Sequence, residues 1–349
     1  MAFQMTIAAT PVLFSKFFAA GDREAVLAAI PQGRQRVVFI DTPATAELAP
    51  TIEALIAKGV EVHVRDHHDC PNPANPREQQ IADAAMRIRE LCGANAVISN
   101  RKANPACSGL IEVGQFSGEG TVIVADPDPD GLTAAMKAVG LVYDGLDADA
   151  AVLDGARSEQ TTERLTPIAL LLVKGMATLP PFNAERPQIA EEAKEKLFAE
   201  FAAAAGGDTA ALESLDRKVE AYEAGVRVAE ALAAEATQPV SGVVLVDTVG
   251  KPRFDLATMA SRMEALAGCR VTVVRKDNGP IAAKCGGVQY SLAVAKAHQA
   301  EVNLQGFLTP GFISSPESGI ISNTTFLLHV SEKVWEEVVL PALRARFEA

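Results

Sequence analysis

The sequence has few of the features that are typical of secreted proteins, of proteins with cysteine-built zinc sites or of membrane proteins. Only 5% of its 349 residues are aromatic, and its five cysteines are scattered without a C-x-x-C pair. An odd, dispersed set of cysteines is typical of reduced thiols in a cytoplasm and argues against a disulfide framework or a cysteine-built zinc site. No apolar run reaches the roughly 18 residues that span a bilayer. No basic residue precedes Lys16, so we expect no cleaved signal peptide.

Basic residues are also in deficit. The 32 Lys and Arg are outnumbered by 44 Asp and Glu, which gives a formal net charge of −12. This balance argues against a broad basic surface for duplex DNA, although a local basic groove is compatible with it. Nearly half of the residues, 48%, are apolar. The length and this composition suit two ordinary domains with sizeable cores.

Strand and helix patterns alternate through the first half. Strands are predicted at 36–41, 60–66, 94–100 and 120–126, and helices at 45–59, at 77–93 and from 133. This alternation predicts an α/β fold with right-handed crossovers and a mostly parallel sheet. Ligands bind at the carboxyl ends of such strands. Asp41, Asp66 and Asp126 stand where three of the strands end, which points to a single site.

The chain is predicted to have three parts. Residues 1–182 form an α/β domain, residues 183–238 a helical connector, and residues 239–349 a smaller α/β domain. The helical pattern runs from about 187 to 236, and strand patterns return at 242–248 and 270–276. A peripheral helical pair, in place of a connector, is an open alternative.

The stretch VADPDPDGLTAAM, residues 124–136, holds three alternate aspartates closed by a glycine. It is not an EF-hand, because the twelfth position is Lys137 instead of Glu and a strand, not a helix, precedes it. A solvated turn is the plain alternative, since Asp-Pro and Asp-Gly are turn formers. Gly131 is expected to permit a tight turn, and Thr133 to cap the following helix.

A second unusual stretch is Asp66-His67-His68, at the end of a predicted strand. The chain has only five histidines, so chance is a weak explanation for two of them beside an aspartate. Carboxylate and imidazole groups suit Mn²⁺, Mg²⁺, Fe²⁺ or Zn²⁺. Adjacent residues of an extended chain point to opposite sides, so one histidine is expected to bind metal and the other to face substrate.

Together these motifs resemble the DHH phosphoesterase superfamily, which includes RecJ-like exonucleases. Asp66-His67-His68 resembles the DHH signature, and DPDPDG resembles the His-x-Asp-x-Asp-Gly motif with Asp126 in place of the histidine. Asp41 fits the family's strand-terminal aspartate, and Asp154 in AAVLDGARS its fourth motif. The family places the D-x-D motif before DHH, whereas here it follows by 60 residues. The catalytic domain therefore resembles a circular permutation of the family's.

The resemblance implies a fold and a metal centre. The fold is a mostly parallel-sheet DHH-like catalytic domain, a helical connector and a smaller α/β C-terminal domain of DHHA1-like type, for substrate. The glycine-rich stretch ending in His that many relatives carry there has only a poor counterpart at 303–319. The cofactor is two Mn²⁺ ions, with Mg²⁺ as the alternative. Asp126 and Asp128 would bind one ion, and Asp130, His67 and Asp154 would bind the other. Asp41 would bind both ions.

The resemblance also implies catalytic roles: His68 faces the scissile phosphate and Asp66 orients an imidazole. Among basic residues, Arg101 and Lys102 follow a strand end and Arg275 lies in the C-terminal domain; all three are expected to bind substrate, with a solvated face as the alternative. The expected oligomeric state is open, a homodimer included.

The expected activity is hydrolysis of phosphodiester bonds by metal-activated water, in short or single-stranded nucleic acid, in the cytoplasm. Two alternatives stay open: a non-catalytic nucleotide- or phosphate-binding module on the same fold, and a phosphatase for small phosphoanhydrides.

Overall fold

The structure is a computed structural model of the chain. It describes residues 10, 12–14, 27–28, 30, 33–69, 71, 76–126, 128–155, 164–180, 187–308 and 314–348. Pro127 of the aspartate motif and Cys70, next to the histidine pair, lie outside these ranges. The chain divides into two compact units, Met1–Glu220 and Ala221–Ala349.

The first unit is built on a five-stranded parallel sheet. Its strands are β1 (Val12–Phe14), β2 (Arg36–Ile40), β3 (Glu61–Asp66), β4 (Ala96–Ile98) and β5 (Thr121–Ala125). Their order is β1-β5-β2-β3-β4, and every pairing is parallel. The predicted α/β class is thus confirmed, and β5 lies directly beside β2 although 80 residues separate Ile40 from Thr121.

Helices cover both faces of this sheet. They are α1 (Leu48–Ala57), α2 (Pro76–Cys92), α3 (Pro129–Ala138), α4 (Leu146–Gly155), α5 (Pro167–Ala177), α6 (Pro187–Ala205) and α7 (Thr209–Ala234). Val37 and Phe39 point into a core shared with α1 and α2, whereas Val38 and Ile40 point into a core shared with α3 to α6. A sheet buried on both faces needs continuous apolar strands, and RVVFI is one.

The predicted connector is divided between the two units. Its helices α6 and α7 extend from 187 to 234, and residues 183–186 lie outside the described ranges. Phe201 of α6 and Leu215 of α7 are buried in the first unit. Ala229 and Leu232, near the end of α7, are buried in the second unit. The unit boundary therefore falls inside α7, and the three-part division stays a prediction.

The second unit holds a six-stranded mixed sheet. Its strands are β6 (Thr237–Val240), β7 (Val243–Asp247), β8 (Val271–Lys276), β9 (Gln289–Val294), β10 (Ile320–Thr324) and β11 (Leu327–Ser331), in the order β10-β11-β9-β8-β7-β6. Of these strands, β7 and β8 pair in parallel. The helices are α8 (Leu256–Glu264), α9 (Pro280–Cys285) and a C-terminal helix from Glu332 to Phe347 with a π-helical stretch at Trp335–Val339. Trp335 is buried and stacks on Tyr290.

Within the part of the chain that the structure describes, no helix combines the length and the apolarity needed to cross a bilayer.

The start of α3 differs from expectation. Asp128, not Thr133, is the N-cap: its Oδ1 accepts a hydrogen bond from the backbone N of Gly131 at 3.0 Å. Thr133 lies inside the helix, and its hydroxyl donates to the carbonyl oxygen of Asp130. Gly131 is helical and not at a turn, and it is required for another reason. A Cβ there would lie 2.4 Å from the carbonyl oxygen of Asp126.

Gly131→Ala should therefore destabilise the protein, by about 1–3 kcal/mol from the forced backbone shift. The matched control is Gly225→Ala within α7, where a Cβ would make an ordinary 3.5 Å contact. There the same change should stabilise by about 0.5–1 kcal/mol, because alanine loses less backbone entropy in a helix. Chemical denaturation measures both. Equal effects of the two substitutions would contradict the close approach at Gly131.

Candidate metal centre

Three aspartates meet at one edge of the parallel sheet. Asp41 directly follows β2, Asp66 ends β3 and Asp126 directly follows β5. Because β2 lies between β5 and β3, Asp41 occupies the middle. Its φ of 56° makes it the one non-glycine residue with positive φ among the described residues. The left-handed conformation costs roughly 1–2 kcal/mol, and such strain is common at functional sites.

The helix that follows β5 brings two more carboxylates to this edge. Asp128 caps α3 and Asp130 lies in its first turn. Backbone N–H groups and the helix dipole favour negative charge there. Asp130 is nevertheless buried, with 1% of its surface exposed, so its carboxylate has lost most of its contact with water.

The side chains form one continuous cluster of possible metal ligands. Three groups have ligand atoms within 4.8 Å of one another: Asp41, His67 and His68; His67, Asp130 and Asp154; and Asp41, Asp128 and Asp130. Each group shares a member with each of the others. The expected ligands Asp41, His67, Asp128, Asp130 and Asp154 are therefore brought together.

His67 is oriented so that a nitrogen lone pair faces the carboxylates. Its Nδ1 lies 2.9 Å from the carbonyl oxygen of Asn104, which can only accept, so Nδ1 carries the proton. The unprotonated Nε2 lies 3.1 Å from Asp41 Oδ1 and 3.6 Å from Asp130 Oδ2. Neither Nε2 nor Asp41 Oδ1 has a hydrogen-bond partner, and both are buried. Two buried acceptors facing each other need a cation between them or a proton.

His68 is held differently. Its Nδ1 lies 2.7 Å from Asp66 Oδ1, and its Nε2 lies 2.9 Å from Nη2 of Arg101. Since guanidinium only donates, Nε2 accepts and Nδ1 donates to Asp66. Burial lowers the pKa of His68, but the hydrogen bond and charge of Asp66 outweigh it, so the pKa is raised. Asp66 thus holds the imidazole of His68 through Nδ1, and catalytic roles for Asp66 and His68 stay predictions.

The carboxylates of the cluster are difficult to ionise together. Burial, then the charge of Asp128, raise the pKa of Asp41 well above its ordinary value. Burial and the charges of Asp41 and Asp128 raise the pKa of Asp130 to about 11. Like charges and low polarity both favour the neutral acid, and a bound cation reverses this preference.

Two expected ligands differ from the others. Asp126 belongs to none of the three groups among the described residues, although its charge contributes to the raised pKa of Asp41. Asp154 lies near the end of helix α4 and not at a strand end. Its Oδ1 lies 3.9 Å from His67 Nε2. A ligand role for Asp126 stays a prediction.

The predicted substrate-binding residues have different surroundings. Arg101 lies at the cluster, with its Nη2 2.7 Å from Asp154 Oδ1. Lys102 is exposed beside it. Arg275, in the second unit, is paired with Asp247 at 2.8 Å and with Glu332 at 3.4 Å. Roles for Lys102 and Arg275 stay predictions.

Sequence reasoning missed the residues that position the cluster. The carbonyl of Asn104 fixes His67, and the side chain of Asn104 donates to Ser99 Oγ at 2.6 Å. The carbonyl of Arg65 accepts from the backbone N of Asp41 at 2.8 Å and from Cys107 Sγ at 3.0 Å. No sequence signal could have found them, because the acting groups are backbone carbonyls.

The strand that leads to DPDPDG pairs with the strand that leads to Asp41, as the permutation hypothesis requires. The relation of this order to the family's order stays a hypothesis.

Asp130→Asn should stabilise the metal-free protein at neutral pH. Since the pKa of Asp130 rises from 3.8 to about 11 on folding, ionisation favours the unfolded chain as pH rises above about 4. The asparagine side chain does not ionise, so the variant does not lose stability in this way. Thermal unfolding in chelator should give a variant Tm at least about 2 °C higher at pH 8, with a smaller gain at pH 5.

The exposed Asp144→Asn is the control for this change, and its Tm should match wild type at both pH values. A variant that is less stable than wild type at pH 8 would contradict the assigned electrostatic cost.

No protein-family model matches the sequence, and no curated protein matches it. Among solved structures, the pGpG-specific phosphodiesterase PggH from Vibrio cholerae is similar with a TM-score of 0.40 and 9% identity, covering 90% of this chain and 99% of that one. A member of the S1p family of ribosomal proteins, described as a DHH domain, has a TM-score of 0.36 and 12% identity, covering 97% and 76%. Because both TM-scores lie below 0.5, function is inferred from the site's own residues.

Proposed function

We propose that the protein is a divalent-metal-dependent phosphoesterase that hydrolyses phosphodiester bonds of short or single-stranded nucleic acid. The observation that carries the proposal is the pair of buried acceptors at its centre. His67 Nε2 and Asp41 Oδ1 lie 3.1 Å apart without a hydrogen-bond partner. Leaving a buried polar atom unsatisfied costs about 1–3 kcal/mol, so the pair is built for something bound between its members.

A divalent cation fits this donor set better than a proton does. One proton would satisfy only the pair itself and would leave the charge of Asp128 beside Asp41 uncompensated. A cation attracts the imidazole lone pair and the carboxylates together. The three overlapping groups support two ions, with Asp41, His67 and Asp130 each belonging to two groups.

The chemistry of the donors favours Mn²⁺, with Mg²⁺ as the alternative. The cluster offers carboxylate oxygens and imidazole nitrogen, a set that suits hard ions. Cys107 is buried near the cluster, but its Sγ donates to the carbonyl of Arg65, and burial raises the pKa of its thiol well above the ordinary value. A thiolate ligand, which would favour zinc, is therefore disfavoured at this cluster.

A bound ion of this kind polarises phosphoryl oxygens and lowers the pKa of water. The chain's own contribution is to bind and orient the substrate. Asp66 holds the ring of His68 at the edge of the cluster, with 17% of the His68 side chain exposed. In the proposal His68 faces the scissile phosphate, and its Nε2, once protonated, donates to a phosphoryl or leaving oxygen; the raised pKa of His68 favours this protonated form.

Arg101 is the partner of His68 in this role. About half of its side chain, 49%, is exposed, and its guanidinium contacts both His68 and Asp154. A guanidinium fork binds phosphoryl oxygens in bidentate fashion. Substrate binding would then exchange the Arg101–His68 hydrogen bond for contacts of both residues with phosphate.

Net charge favours a short substrate. The chain carries −12, and two divalent ions would offset four of these charges, leaving −8. Attraction of a long polyanion over distance is then weak. Short oligonucleotides depend less on such attraction, because their binding is dominated by contacts at the reacting phosphate.

The metal and the activity can be tested together. His67→Gln and Asp41→Asn should each reduce bound Mn²⁺, measured by elemental analysis, and lower Mn²⁺-dependent hydrolysis of phosphodiesters at least about 100-fold, since even residues that only support metal ligands contribute 10–100-fold. The matched control is Asp144→Asn, an exposed aspartate outside the cluster, which should leave both unchanged.

The outcomes distinguish the alternatives. Full metal occupancy in both variants would overturn the metal site. Normal metal binding with no turnover of any phosphoester would identify a binding module, and turnover of phosphoanhydrides alone would identify a small-molecule phosphatase.

The net charge of the chain also predicts how the rate depends on substrate length. A dinucleotide should be hydrolysed faster than a long single strand with Mn²⁺, and its rate should change little with salt because few phosphates are contacted. Turnover of both substrates across a range of salt concentrations measures this. Faster and steeply salt-sensitive cleavage of the long strand would show that a local basic groove outweighs the net charge.

A further inference from the structure

One possible ligand of the metal cluster already has a cationic partner. Nη2 of Arg101 lies 2.7 Å from Oδ1 of Asp154. The same oxygen lies 3.9 Å from Nε2 of His67. The ligand group of His67, Asp130 and Asp154 therefore includes a carboxylate that is paired with a guanidinium. An ion bound by this group and the guanidinium of Arg101 would compete for one aspartate.

The ligand group of Asp41, Asp128 and Asp130 has no such competitor. Among the residues that the structure describes, no lysine or arginine forms an ion pair with any of these three aspartates. The two ions that the cluster supports would therefore meet unequal surroundings. One site is open, whereas the site that includes Asp154 has a positive charge on its ligand.

Two contacts hold the guanidinium of Arg101 in this position. Besides its contact with Asp154, the same Nη2 donates to Nε2 of His68 at 2.9 Å. The ring of His68 is itself fixed, because its Nδ1 lies 2.7 Å from Oδ1 of Asp66 and Asp66 is fully buried. The guanidinium therefore rests between two side chains of the site.

The side chain of Arg101, and not its backbone, is free to move. The loop that carries it is closed by a hydrogen bond from the backbone N of Asn104 to the carbonyl oxygen of Asn100, at 2.9 Å. The carbonyl of Asn104 in turn contacts His67. The Arg101 side chain is 49% exposed, and that of Asp154 is 10% exposed. A long, half-exposed side chain changes rotamer without a change in the backbone, so the guanidinium can leave Asp154 while the carboxylate stays in place.

We propose that Arg101 makes the binding of a second divalent ion depend on substrate. Without substrate, its guanidinium pairs with Asp154 and weakens the affinity of the ligand group of His67, Asp130 and Asp154 for an ion. A phosphate group of the substrate attracts the guanidinium away, and Asp154 then becomes available as a ligand. Because linkage is reciprocal, a second bound ion raises the affinity for phosphate by the same factor. The proposal rests on the proposed function, since it requires the metal cluster and a phosphoester substrate.

The test is a titration of the full chain with Mn²⁺ at constant pH and ionic strength, in which the EPR signal of free Mn²⁺ counts the bound ions. The wild type should bind two ions with unequal affinity. Arg101→Met should tighten the weaker site about tenfold or more, because it removes a close like charge from a partly buried site. Arg101→Lys, which keeps the charge, should give an intermediate affinity. Loss of a merely structural contact would not tighten ion binding.

The matched control is Arg87→Met. Arg87 is as exposed as Arg101, with 51% of its side chain accessible, and it pairs with Glu53 at 2.8 Å, away from the cluster. This variant should bind both ions as the wild type does.

The link to substrate is measured with inorganic phosphate as the probe. Phosphate should tighten the weaker Mn²⁺ site in the wild type and in Arg87→Met, and by a smaller factor in Arg101→Met. In hydrolysis assays, Arg101→Met should need less Mn²⁺ but more phosphodiester for a half-maximal rate. These opposite changes are expected because Arg101 opposes the ion and attracts the substrate.

The outcomes separate this proposal from the proposed function. A second ion that binds no more tightly to a folded Arg101→Met variant, or that binds to neither protein, would overturn the proposal. So would a phosphate effect as large in the variant as in the wild type. The proposed function would survive these results, because a metal ion still binds. A wild-type protein that binds no Mn²⁺ would overturn the proposed function, and this proposal with it.

Discussion

The organisation of the first unit depends on two acceptors that face each other across 3.1 Å, His67 Nε2 and Asp41 Oδ1. Neither position is free to adjust. The carbonyl of Asn104 fixes the tautomer of His67 from behind, and Asp41 is held in a left-handed conformation, with its backbone N bonded to the carbonyl of Arg65. Because both strands that carry them are buried on both faces, neither side chain can turn toward water. The fold thus maintains an arrangement that is unfavourable unless a cation completes it.

The cost of this arrangement lies in the carboxylates around the pair. Asp130 is buried where a helix N-terminus favours its charge but Asp41 and Asp128 oppose it, and burial decides the balance in favour of the neutral acid. In the metal-free protein, ionisation of these carboxyl groups therefore lowers stability. Proteins commonly accept lower stability where function needs strained or repelling groups. The large apolar cores on the two faces of the sheet supply the stability that offsets this cost.

Features set by local periodicity were predictable from the sequence, whereas those set by long-range contact were not. Strand ends at Asp41, Asp66 and Asp126 were predictable, because parallel strands align their carboxyl ends whatever the chain order. The placement of Asp154 on α4 was not predictable, since an apolar run as short as AAVL does not distinguish helix from strand. Gly131 was expected at a turn, whereas it lies in helix α3, at a point where the helix passes close to the carbonyl oxygen of Asp126. Asn104 contributes a carbonyl, which every residue has, so no residue type could have marked it.

The overall charge of the chain says little about the ligand that its first unit suits. In that unit, carboxylates and an imidazole lone pair converge, and this arrangement suits a cation. A net charge of −12 does not reveal this arrangement, because it sums a surface on which most charges are solvated and contribute little. The buried polar groups matter more, since water screens less there and each contact is stronger. For this chain, ligand chemistry therefore depends on which groups lack a partner and not on the overall charge.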